Sequence, residues 1–214
     1  MAPVPDAANA WVALALLGAF HGINPGMGWL FAVALGMQEN RAAAVWRALL
    51  PLGVGHACAI ALAITLAFAA GAVIPASTLK WPIAAFLVFL GIRRLLRHRH
   101  PRWGGMRIGP AGLTVWSFLV ATAHGAGLMV LPIWLHMPAQ ADVHGSHMYV
   151  AADVSSGLSV TLVHGASYLL VTTVIAWIVF AKVGVGLLRR SWINLDVIWA
   201  GALIVTGGVT LLLR

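Results

Sequence analysis

Six long apolar runs constrain this chain more than anything else in it: residues 10–37, 49–74, 81–96, 111–137, 158–183 and 195–213. Runs of about 20 apolar residues match the length of helix needed to cross the hydrocarbon core of a bilayer. A segment in lipid must also satisfy its own backbone polar groups, which a helix does within itself. The six runs occupy about two thirds of the 214 residues, so no separate soluble domain fits between them. Composition agrees: 61% of the residues are hydrophobic and 8% charged, against about 45–50% and 25% in soluble domains. The expectation is a single all-α integral membrane domain over residues 1–214, with six transmembrane helices. The first ten residues hold no Lys or Arg, and the first run is too long for a signal-peptide core, so no cleaved leader is expected.

The basic residues set the sidedness. Arg41 and Arg47 lie between the first and second runs. Arg93, Arg94, Arg97, Arg99, Arg102 and Arg107 lie at the end of the third run and in the loop before the fourth, and Lys182, Arg189 and Arg190 at the end of the fifth and in the loop before the sixth. Only Lys80 and Arg214 fall on the opposite side. The positive-inside bias then places both termini outside, which in a bacterial-type inner membrane is the periplasm. The net charge of +8 is thereby a cytoplasmic anchor, and no nucleic-acid partner is expected. The single cysteine, Cys58, excludes an internal disulfide and a Cys-only metal site.

The chain also repeats itself. Ala19-Phe20-His21-Gly22 in the first run is echoed by Ala123-His124-Gly125 in the fourth. Gly55-His56-Ala57 near the start of the second is echoed by Val163-His164-Gly165 in the fifth, and residues 87–97 align without gaps with 204–214. Repeats of three spans each must insert with opposite orientation, so residues 10–97 and 111–214 form two inverted halves joined by the basic loop 98–110. Transporters built this way bind substrate near the midplane, where broken helices from both halves meet. The breaks are present: His21-Gly22-Ile23-Asn24-Pro25-Gly26-Met27-Gly28 interrupts the first run, and His124-Gly125-Ala126-Gly127, followed by Pro132, interrupts the fourth. The alternative for these segments is a proline kink packed among small-residue contacts.

His21, His56, His124 and His164 lie in four different runs. A polar residue at bilayer depth is costly and marks a functional site by default. Four placed two and two by a repeat read either as a shared polar or metal site or as separate interhelical hydrogen bonds. Asn24 is three residues after His21, and Ser167 and Tyr168 are three and four after His164, so these are the candidate substrate-binding neighbours. Neutral imidazole without a nearby carboxylate suits zinc, copper, nickel, cobalt or iron and disfavours magnesium or calcium. Cys58 faces away from His56 on a regular helix. In the loop after the fourth run, His136, His144 and His147, with Asp142 and two Met, read as an outer collecting site or as a solvated polar loop. His98 and His100, among arginines, belong with the basic anchor.

At Asn24-Pro25-Gly26, and in its six spans arranged as two inverted halves, the chain resembles the LysE superfamily of small exporters. That family includes amino-acid exporters with a Pro-Gly-containing first helix, and nickel, cobalt, manganese and cadmium transporters, some with His in that helix. This chain has Pro25-Gly26-Met27 in place of the amino-acid exporters' Pro-Gly-Pro, and no Asp accompanies His21. The resemblance therefore implies the architecture and the transport of a small cation or small molecule, and leaves the substrate open. The leading expectation is a transporter of a transition-metal cation through a His-lined midplane site, with proton coupling because metal and proton compete for imidazole. The alternatives are a membrane metalloenzyme with Tyr168 or Glu39 near the chemistry, or a redox protein holding haem b between the same histidines. A third is an assembly subunit packing through its Gly-rich faces, with itself or with a partner.

Overall fold

The computed structural model describes residues 7–71, 76–96, 109–135, 137, 154–183 and 195–212. Among these residues every regular element is helical and there is no strand. The first apolar run is broken into α1 (Ala7–Ile23), a 3-10 turn at Pro25–Met27 and α2 (Trp29–Glu39). Pro25 offers no N–H to the His21 carbonyl, which instead accepts from the Asn24 N–H at 3.3 Å. The Asn24 side chain caps the turn by accepting from the Gly26 N–H at 2.9 Å. Gly28 leaves it at φ 135°, a conformation that needs glycine. The freed Ile23 carbonyl accepts from the Trp29 indole N–H at 2.9 Å.

Two unbroken helices follow: α3 (Ala42–Gly71), with Pro51 inside it, and α4 (Ala76–Leu96), with Pro82. The fourth run splits into α5 (Pro110–Ala123) and α6 (Ala126–Leu135), bent by 59°. The bend sits at His124-Gly125, where Gly125 takes φ 73°, and Pro132 lies inside α6. The chain continues as α7 (Val154–Ile178), a π turn at Val179–Val183 and α8 (Leu195–Leu212). Two of these stretches, Ala42–Gly71 and Ser155–Lys182, are long and apolar enough to cross a membrane, with mean hydropathies of 2.0 and 1.8. The bent α5–α6 pair makes a third if it is one span.

Many large apolar side chains face outward, and a few polar groups are buried within the apolar core, which a soluble bundle does not need. Leu50, Leu66, Phe86, Leu162, Leu170 and Val205 point outward, while His21, His56, His164, Ser117, Thr161 and Thr172 are buried. An apolar surface on this scale calls for a lipid or protein surround.

The three most extensive helix contacts are α1 with α7, α3 with α5, and α4 with α8, each joining residues 7–96 to residues 109–212. Glycines allow this closeness. A Cβ on Gly18 would stand 2.2 Å from the His164 carbonyl oxygen, and one on Gly22 2.7 Å from that of Tyr168, so α1 and α7 run parallel, backbone against backbone. A Cβ on Gly55 would stand 2.2 Å from the Thr114 carbonyl oxygen of α5. Helices α4 and α8 run antiparallel with reciprocal contacts: Gly91 meets Ala200 and Ile204, and Gly207 meets Ala84 and Val88. This reciprocity is one residue out of step with the gapless alignment of 87–97 to 204–214, because the contact pairs Gly91 with Gly207 whereas the alignment pairs it with Gly208.

Candidate functional site

His21 lies in the last turn of α1, one turn before Pro25. Its Nδ1 is 2.7 Å from the Leu17 carbonyl oxygen, so Nδ1 carries the proton and Nε2 is left as the bare nitrogen. His124 repeats the arrangement at the end of α5, its Nδ1 2.7 Å from the Val120 carbonyl oxygen. His56 comes from α3 and His164 from α7, where it belongs to a buried stripe with Thr161, Tyr168 and Thr172.

Three of the four histidines meet. The His21 ring centroid lies 5.5 Å from that of His56 and 5.0 Å from that of His164. The His56 and His164 rings are parallel within 5°, with centroids 5.4 Å apart. Tyr168 closes one side, stacked on His56 at 4.0 Å. All three imidazoles are fully buried. His21 Nε2 and both ring nitrogens of His56 and of His164 have no hydrogen-bond partner; the Leu14 carbonyl comes near the His164 ring without completing one. Each orphaned buried polar atom costs about 1–3 kcal/mol. Five at one point are a large standing cost in an otherwise close-packed bundle.

The fourth histidine is held apart. Trp199 of α8 stands between it and the other three, edge-on to His21 at 4.6 Å and to His124 at 5.5 Å, and stacked on Phe20 at 4.8 Å. Its indole N–H donates to the His124 carbonyl at 2.9 Å, at the α5–α6 bend. A tryptophan N–H thus satisfies a backbone carbonyl at each break, Trp29 at the first and Trp199 at the second. Trp199→Phe is expected to lower stability by about 1–3 kcal/mol through the orphaned carbonyl, read as a drop in melting temperature of the purified protein. An unchanged melt would show that the bend does not depend on this bond.

The remaining sequence candidates have other surroundings. Asn24 uses its side chain as the cap of the broken turn, and Ser167 packs beside Gly18 on α1. Glu39 pairs with Arg47 at the exposed α2–α3 corner. Cys58 is exposed, as its spacing from His56 implied. His136, His144 and His147 lie outside the described residues, as do His98 and His100. Among the described residues, no three or more His, Cys, Asp or Glu side chains are arranged as they stand to hold a metal ion. Trp199, Phe20, Ser117 and Thr172 complete the polar and aromatic interior and were not singled out by the sequence. Thr172 was within reach, one turn beyond Tyr168 on the stripe that starts at Thr161. No spacing along the chain points from α8 to His21.

The fold and site define a helical protein with helices able to cross a membrane and a buried imidazole cluster at a helix break. Comparison with family models, with curated proteins and with solved structures finds no match.

Proposed function

We propose that the chain is a six-span membrane transporter of a transition-metal cation, bound in transit by His21, His56 and His164. The observation that carries this reading is the five unpartnered nitrogens on three converging rings. Metal–nitrogen bonds of about 2.0–2.1 Å in a tetrahedral arrangement put neighbouring imidazole centroids roughly 5 Å apart. The three rings already have that spacing, so the ion requires ring rotation rather than helix movement. His21 would bind through Nε2, with Nδ1–H held by Leu17, the kind of backing hydrogen bond that orients metal-bound histidines. A haem fits less well, since its two imidazoles must face each other across a flat macrocycle, and each pair here has the third ring about 5 Å away.

Three features support six spans in two inverted halves. Exchanging the halves turns the α1–α7 contact into the α5–α3 contact and returns α4–α8 to itself. The Gly91 and Gly207 contacts are reciprocal, and both breaks follow a histidine bonded to the carbonyl four residues back. In this topology both termini are outside, and the membrane is of the bacterial inner type. The test is metal content and metal flux of purified protein in liposomes, with His21→Ala and His164→Ala variants. Loss of both in each variant is expected, with metal binding weakening as pH falls because protons compete for imidazole. Unchanged metal content and flux in both variants would refute the proposal.

A further inference from the structure

A second cluster of buried polar groups lies on the other side of Tyr168, and it contains oxygen only. The Tyr168 hydroxyl donates to the Met27 carbonyl at 2.6 Å, in the broken turn between α1 and α2. The Ser117 hydroxyl of α5 donates to the Leu52 carbonyl of α3, also at 2.6 Å. The Ser117 and Thr172 hydroxyls both approach that of Tyr168, and Gly28 seats the broken turn directly on the Leu52 side chain. Five oxygens from four segments of the chain therefore converge, all on buried residues.

Thr172 gives the cluster its direction. Hydroxyls elsewhere in these helices, on Thr65, Thr122, Thr161 and Thr210, donate to the carbonyl four residues back. The Thr172 oxygen, fully buried, has no partner. Tyr168 and Ser117 each commit their proton to a carbonyl, so each hydroxyl oxygen keeps its lone pairs to offer as an acceptor. Neutral hydroxyl and carbonyl oxygens, one of the carbonyls at an unwound turn, are the groups that hold alkali cations in broken-helix transporters. No carboxylate of the described residues joins them, so a divalent ion would lack compensating charge.

We propose that these oxygens form a sodium site, in which Thr172, Tyr168, Ser117 and the carbonyls of Met27 and Leu52 replace the hydration shell of the ion. The site is separate from the imidazole cluster and does not depend on that cluster binding metal. It shares only Tyr168, whose ring stacks on His56 and whose hydroxyl enters the cage. The experiment is thermal unfolding of the purified, chelator-treated protein in sodium, potassium and choline chloride at equal ionic strength. Binding to the folded state raises the melting temperature by mass action. Sodium is expected to raise it by a few degrees over choline and over potassium. Thr172→Val and Ser117→Ala are expected to lose that increment, each variant melting at one temperature in all three salts. Equal melting of the wild type in all three salts, an equal increment with potassium, or a full sodium increment in Thr172→Val would each overturn the proposal. The wild-type comparison needs no variant, so a misfolded substitution does not block the answer.

Discussion

His56→Phe is expected to melt no lower than the wild type and to abolish the transition-metal binding proposed for the imidazole cluster. Both His56 nitrogens are buried without partners, and its ring lies flat on Tyr168 at 4.0 Å. Phenylalanine keeps the flat ring and the stack and removes both orphaned nitrogens. Two nitrogens at about 1–3 kcal/mol each make that a relief of about 2–6 kcal/mol, which outweighs the about 1–3 kcal/mol of overpacking by the slightly larger ring. If His56 served only to hold helices together, the same change would destabilise. For metal the effect is opposite and larger. Changes to groups that merely orient a ligand cost about 10–100-fold in affinity, and losing one of three ligands should exceed that. Paired melting curves and metal titrations decide it: a marked fall in melting temperature with metal affinity intact would sink the reading of His56 as a ligand.

Gly18→Ala is expected to be among the most damaging single-methyl changes at the described glycines. The added carbon would sit 2.2 Å from the His164 carbonyl oxygen, with the Ser167 Cβ at 3.1 Å. The obstacle is backbone, so no side-chain rotation relieves it, and α1 must move away from α7. Overpacking costs about 1–3 kcal/mol where side chains can adjust, and here the upper end or beyond is expected. His21 moves with α1, so the imidazole cluster should open as well. Gly165→Ala is the control: it lies in α7 with nothing within 4 Å of the added carbon, and should be neutral or stabilising by about 0.5–1 kcal/mol. Melting temperatures of the two variants should therefore fall on opposite sides of the wild type, or nearly so. A Gly18→Ala protein that melts like the wild type would refute the close approach.

Much of this was legible in the sequence, for identifiable reasons. Apolar runs of this length leave the backbone little choice but helix, and Pro25 between Asn24 and Gly26 marked the first break because a missing N–H cannot be hidden. The second break offered two candidates, Gly125 and Pro132. The structure uses the glycine, which takes φ 73°, while Pro132 is accommodated inside α6. Helical spacing correctly put Tyr168 beside the histidines and turned Cys58 away. The capping bond of the Asn24 side chain to the Gly26 N–H follows from the turn that Pro25 forces, which helical spacing does not describe. The separation of His124 from the other three was not readable, because it depends on Trp199, brought in by a helix with no local relation to either residue.

The close backbone contacts have a mechanical consequence. Since α1 rides on α7, α3 on α5 and α4 on α8, neither sequence half is a block that could rock against the other without tearing these seams. Residues 7–96 and residues 109–212 are therefore interleaved, and a displacement of one against the other would have to open all three seams at once.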